Sequence, residues 1–87
     1  MNFEYDPAKS AANKDKHGID FDAAQELWLD DTLLTIAARQ MDEPRIVSTG
    51  RICEVFWTAV WLMRGEKIRI ISVRRARKEE VTRYESQ

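Results

Sequence analysis

Arg69 sits inside a run of β-branched residues, Ile68, Ile70, Ile71 and Val73, and as the run ends Arg74, Arg75, Arg77 and Lys78 follow in quick succession. Such side chains suit a pleated, buried surface, which predicts a strand. Burying an unpaired guanidinium there costs on the order of several kcal/mol, so Arg69 must face an open side of the sheet or meet an anion. Arginine's planar fork fits the oxygens of a phosphate or a carboxylate. A charged helix comes next, with Glu80 and Tyr84 four residues apart and therefore on one face. His17 is the only histidine, and imidazole is the side chain whose ordinary pKa, about 6.5, lies near neutrality. The densest set of anion-binding and proton-handling groups lies where the last strand meets the last helix.

Each of these residues also has a role without chemistry. Arg69 can pair across the strand with an acid. Strict alternation puts Arg69 and Arg74 on opposite faces, so both act together only if the chain bends or bulges after Val73. His17 and Lys16 end a helix, where a histidine interacts favourably with the dipole and hydrogen-bonds the last carbonyls. Glu80 in a first helical turn also favours the dipole, and Tyr84 with Val81 can anchor a weakly amphipathic helix. Arg75, Arg77 and Lys78 suit a solvated track along a polyanion.

The elements that must position these groups follow from local signals. Met1 to Tyr5 alternates as a brief strand. Asp6-Pro7 predicts a helix start, N-cap then first position, for a helix over Pro7–His17 that Gly18 ends. Its apolar face is predicted to be Ala8, Ala11 and Ala12. Asp20 caps a second helix over Phe21–Leu29, with Phe21, Ala24, Leu27 and Trp28 at helical spacing. This pair has the outline of a DNA-reading helix–turn–helix, but the second helix carries Asp22 and Glu26 and no basic residue. Phosphates would be repelled, which excludes that reading.

Asp30-Asp31 ends the second helix. Strands are then expected at Thr32–Ala38 and Arg45–Thr49, separated by a turn at Met41–Pro44, with Gly50 marking a bend. Val55–Met63 is apolar on both alternating faces and reads as a central strand. Arg64-Gly65-Glu66 forms a hairpin into the last strand. Trp57 and Trp61 share a side with Val55, Ala59 and Met63, where core packing is expected, and Leu33, Ile36, Phe56, Val60 and Leu62 also read as core. The expected fold is α+β: a small antiparallel sheet of about four main strands plus a short N-terminal strand, two N-terminal helices and one C-terminal helix.

Eighty-seven residues make one domain, 1–87, since halves would be too small for a core. The single cysteine, Cys53, excludes an internal disulfide framework. One histidine and scattered carboxylates give no metal-ligand spacing, and no metal or other cofactor is expected. No apolar stretch is long enough for a membrane span and no apolar signal region opens the chain, so the cytoplasm is the expected compartment. Net charge is −1, but residues 1–43 carry four basic and ten acidic side chains, whereas residues 44–87 carry ten basic and five acidic. One basic and one acidic surface are expected on the same body, attracting phosphate and a basic partner respectively.

Three stretches carry a resemblance: Phe3-Glu4-Tyr5-Asp6-Pro7-Ala8-Lys9, then Lys16-His17-Gly18-Ile19 with Phe21, then Ile68-Arg69-Ile70-Ile71-Ser72-Val73-Arg74-Arg75-Ala76 running into Glu80 and Tyr84. In order and spacing this resembles the BrnT family of type II toxin–antitoxin toxins, with Tyr5 where the family usually has Trp and Val73 where it usually has Ala. The resemblance implies a RelE-like fold and a ribonuclease that stops translation. It also implies neutralisation by a ribbon-helix-helix antitoxin, with DNA reached only through the antitoxin complex. Such ribonucleases need no metal: the RNA 2′-hydroxyl attacks its own phosphate, and the protein moves protons and stabilises charge on phosphorus. On that reading Arg69 and Arg74 hold the scissile phosphate and His17 is the general acid or base. Glu80 orients an arginine or shuttles a proton, and Tyr84 stacks on a base or donates to phosphate. Lys16, Arg75, Arg77 and Lys78 bind the RNA backbone. The alternative is a non-catalytic module of the same fold that binds a protein or an RNA.

Overall fold

In the computed structural model, which describes residues 1–38 and 44–87, the chain runs β1 (Asn2–Glu4), α1 (Pro7–His17), a 3₁₀ helix (Ala23–Leu29), β2 (Leu34–Ala38), β3 (Arg45–Ile52), β4 (Val55–Arg64), β5 (Lys67–Arg75) and α2 (Lys78–Glu85). One five-stranded sheet has the order β1-β5-β4-β3-β2. The four longer strands pair antiparallel, whereas β1 lies parallel to β5, with Phe3 opposite Ile68 and Glu4 opposite Arg69. The sheet is therefore mixed rather than wholly antiparallel. A parallel neighbour needs a long crossover, and the chain between β1 and β5 supplies it. The turn expected at Met41–Pro44 lies, but for Pro44, outside the described residues.

The apolar run of β4 stands at the centre of the sheet, as its two-sided pattern predicts. On one face Trp57, Ala59, Trp61, Ile68, Ile70 and Val73 meet Ile19, Phe21, Ala24 and Leu27, and α1 and the 3₁₀ helix close that side. Trp28 joins Phe3 and Trp61 edge to face, with ring centroids 5.1 and 5.6 Å apart. The indole of Trp61 donates to Ser48 Oγ at 2.9 Å, as a buried Trp N–H requires. The two strand tryptophans are core.

Three expectations need correcting. First, α1 is capped as predicted, by Asp6 accepting from the Ala8 amide at 2.9 Å and by Gly18 at φ 85, but Ala8, Ala11 and Ala12 are exposed. Its inward residues are Ser10 and Asn13. β1 ends opposite Arg69, so the outer edge of β5 beyond that point has no strand to satisfy it. Asn13 takes both backbone groups of Val73, accepting from its N–H at 3.2 Å and donating to its carbonyl at 2.9 Å, and also donates to Ile19 O at 2.8 Å. Ser10 Oγ accepts from the Phe21 amide at 2.9 Å. Backbone satisfaction, not alanine packing, chooses the buried side of this helix.

Second, the second helix starts at Ala23, not Phe21, and is 3₁₀, with Asp20 Oδ1 accepting from the Ala23 amide at 2.8 Å. Three residues per turn stack Ala24 over Leu27 inward and Ala23, Glu26 and Leu29 outward. Third, Gly50 makes no bend: β3 continues to Ile52. A Cβ at Gly50 would lie 2.7 Å from Leu33 Cδ1 and 3.1 Å from both Asp30 Oδ2 and Leu27 Cδ2. The glycine lets the segment after the 3₁₀ helix press against the strand. Chain reversal comes later, at Cys53-Glu54, where Cys53 has φ 54. Gly65, at φ 63, turns β4 into β5 where expected.

Candidate nucleic-acid interface

The second face of the sheet is where the charged groups gather. Val60 pairs with Ser72 but Trp61 pairs with Ile70, so Ile71 is an extra residue in β5. This bulge reverses the alternation. Ile68, Ile70 and Val73 all reach the core, and Arg69, Ser72 and Arg74 share the opposite face with Leu62, Val60 and Thr58. The irregularity that joint action of the two arginines requires is present, before Val73 rather than after it. Of the residues read as core, Leu33 packs against it. Leu62, on the second face, is buried, Phe56 and Val60 are half-buried there, and Ile36 is 42% exposed.

One face does not make one site. Arg69 Nη1 donates to Glu4 Oε2 at 2.8 Å, with Arg64 Nε 3.9 Å from the same oxygen. Arg74 grips Glu80 through both nitrogens, at 2.8 and 3.0 Å. Discounting the bulge, the arginines stand four strand steps apart, roughly 13 Å, each closed into its own ion pair.

Glu80 is the hub of the α2 end. Besides Arg74 it accepts from the Arg77 amide at 2.8 Å and from Thr58 Oγ1 at 3.0 Å. Thr58's single proton being used, Thr49 donates to Thr58 across 2.9 Å. Burial alone would raise the Glu80 carboxyl, but these hydrogen bonds and the Arg74 charge bring it down to about 2. The hydrogen bond to Glu80 in turn raises Arg74.

Tyr84, one turn on, faces the same way but reaches a different partner. Its hydroxyl donates to Asp30 Oδ2 at 2.7 Å, and its ring meets Phe56 edge to face at 5.4 Å. Asp30 also accepts from the amides of Thr32 and Arg51, each at 2.9 Å. Burial would raise the Asp30 carboxyl, yet these bonds hold it near 2. Thr32's hydroxyl favours the tyrosinate, but burial and the Asp30 carboxylate outweigh it and raise Tyr84. Sequence reading missed Asp30 as anything beyond a helix end. Its signal was the Asp-Asp-Thr triplet, an Asx-turn pattern.

The remaining candidates are spread out. His17 is half-buried at the end of α1, one turn beyond Asn13, and Lys16 is exposed. Among the described residues no hydrogen bond or ion pair joins either to Arg69, Arg74 or Glu80. Arg75 leaves the second face and lies over the Trp57 ring, 5.2 Å from its centroid. Arg77 and Lys78 are exposed at the start of α2. A groove of about 160 Å³ between α2 and strands β2 and β3 is bordered by Glu80, Arg83, Thr49 and Ile36. A larger depression of about 460 Å³ is bordered by Asp30, Thr32, Arg51 and Tyr84, and neither Arg69 nor Arg74 lines it. Among the described residues no three metal-ligating side chains converge, and no helix is long and apolar enough to cross a membrane.

No curated protein matches the chain. Residues 5–80 match the family model described as "Ribonuclease toxin, BrnT, of type II toxin-antitoxin system"; the matched span includes His17, Arg69, Arg74 and Glu80 and stops before Tyr84.

Proposed function

Because the chain belongs to the BrnT family of ribonuclease toxins of type II toxin–antitoxin systems, we propose that it cleaves RNA internally without a metal ion and thereby arrests translation. The family match carries this reading. The bulge at Ile71, which turns Arg69 and Arg74 to one face, supports it. In the proposed reaction the 2′-hydroxyl attacks the adjacent phosphorus, its proton leaves to a base, and the departing 5′-oxygen takes a proton, giving a 2′,3′-cyclic phosphate. Arg74 serves the scissile phosphate, and Arg69 holds a neighbouring one.

Arg74 can bind that phosphate only by releasing Glu80, since a carboxylate already fills its fork. The exchange has a chemical use. Glu80 is a poor base while Arg74 and two other donors hold it low, and losing the guanidinium raises its basicity beside the reacting group. His17 is assigned the opposite proton transfer. Lys16, Arg75, Arg77 and Lys78 track the RNA backbone. Tyr84 is assigned to holding α2, because its hydroxyl and ring are both engaged within the protein.

We assign the chain, 1–87, as one RelE-like toxin domain acting in the cytoplasm. It is silenced by a ribbon-helix-helix antitoxin and reaches DNA only through that complex. The test is digestion of purified RNA in excess chelator. Cleavage is expected with cyclic-phosphate ends, falling about 100-fold or more in Arg74→Ala. Intact RNA, with the protein shown folded, overturns the reading. The closed Arg69–Glu4 and Arg74–Glu80 pairs favour one rival, a non-catalytic binding module. Growth arrest on expression, relieved by the antitoxin, decides against that rival.

A further inference from the structure

Leu29 is 78% exposed, although it follows the buried Leu27 by two residues. Two residues on from Leu27 is the far side of the helix, where Leu29 stacks over Glu26 on the outward column. Leu29 and Glu26 stand between two depressions, the polar one beside Asp30 and an apolar one of about 410 Å³ bordered by Met1, Phe3 and Trp28. The apolar side is preorganised: Trp28 is clamped between Phe3 and Trp61, at interplanar angles of 71° and 75°. Asp22, Glu26 and Asp31 rim the surface, are exposed, and enter no ion pair among the described residues. Of the side chains bordering the two depressions, that of Arg51 alone is basic.

An exposed leucine on a rigid aromatic bed, ringed by exposed carboxylates, is complementary to one kind of polypeptide. We propose that it docks a cationic amphipathic segment of the antitoxin, with an apolar side chain against Leu29, Phe3 and Trp28 and Lys or Arg side chains meeting Asp22, Glu26 and Asp31. The proposal rests on the toxin–antitoxin reading. It adds a location: the layer covering the core face, away from Arg69 and Arg74. Anchoring and silencing are then separable, because a segment held here leaves both arginines to another part of the antitoxin.

The experiment titrates the intact antitoxin, taken from the reading frame beside this one, into wild type and three variants shown folded by circular dichroism. Leu29→Lys and Glu26→Lys are each expected to weaken binding about tenfold or more. Ile36→Lys, on the exposed edge strand β2, is expected to stay within about twofold. Raised salt should weaken wild-type binding more than Glu26→Lys binding, while chelator-resistant RNA cleavage by Leu29→Lys remains that of wild type. Undiminished binding by both Leu29→Lys and Glu26→Lys overturns the docking surface and leaves the toxin–antitoxin reading standing. Failure of wild type to bind at all overturns that reading and the surface with it.

Discussion

On the core face, Phe21, Ala24, Leu27, Ala59, Ile70 and Val73 are each at most 2% exposed, and the covering layer is fastened by hydrocarbon plus the neutral hydrogen bonds of Ser10 and Asn13. On the other face, α2 buries none of its residues. Eight residues are too few for a helix stable on its own, so α2 persists because Glu80 holds Arg74 and Thr58 and because Tyr84 holds Asp30 and Phe56. Apolar burial is nearly indifferent to pH and to anions. A carboxylate in an arginine fork is sensitive to both, and a phosphate can replace it. One side of the sheet is built to stay shut, and the other uses contacts that a polyanion can exchange.

Deleting a phenyl ring from each face tests the contrast most severely. Phe21→Ala removes a ring with 1% exposure and is expected to cost about 3–5 kcal/mol in urea denaturation. Phe56→Ala removes a half-buried ring that touches Tyr84 and Arg51, and is expected to cost roughly 1–2 kcal/mol. Equal losses would erase the distinction between the faces.

That distinction was only partly legible beforehand. The caps Asp6 and Gly18, the central place of β4 and the strand under Arg69 all follow from local patterns. So does the rule that Arg69 must meet an anion or open space. The identity of the anion does not, since Glu4 lies 65 positions away. The bulge has a mark in the sequence, since the apolar–polar alternation of Ile68-Arg69-Ile70 restarts out of phase at Ile71-Ser72-Val73, but strict alternation read across it places the bend after Val73 instead. Periods of 3 and 3.6 agree on Ala24 and Leu27 and part company at Trp28, which a period of 3.6 sets beside Ala24 and a period of 3 swings aside, so the second helix looked α-helical. The polar side of α1 is dictated by unpaired groups at Phe21 and Val73, which no periodicity within the helix records.

A milder change acts on the ionic face alone. In Glu80→Gln the carboxylate becomes a neutral amide of similar shape. The native carboxyl titrates near 2 against an ordinary 4.5, so folding binds fewer protons. Its contribution is whole above about pH 4.5, is lost as pH falls toward 2, and is on the order of 2 kcal/mol. Wild type should therefore lose stability over that window more steeply than Glu80→Gln, while above pH 5 the variant is the less stable of the two. Parallel curves, measured by denaturant titration at each pH, would show that Glu80 adds no ionic attachment. Phe21→Ala should lower the whole curve without changing its slope.

Tyr84→Phe is the smallest cut and separates the two anchors of α2. It removes one hydroxyl, keeps the ring against Phe56, and leaves Asp30 its bonds from the Thr32 and Arg51 amides. The expected loss is about 0.5–1 kcal/mol at neutral pH. Because the Tyr84 bond helps hold Asp30 near 2 against an ordinary 3.8, removing it should also raise the carboxyl, as carbon-detected NMR titration can follow. RNA cleavage gives a third readout. If the hydroxyl serves only to dock the helix, cleavage stays close to wild type where the variant is fully folded. A drop beyond about tenfold under those conditions would put Tyr84 on the RNA, and α2 would then be held by Glu80 more than by its tyrosine.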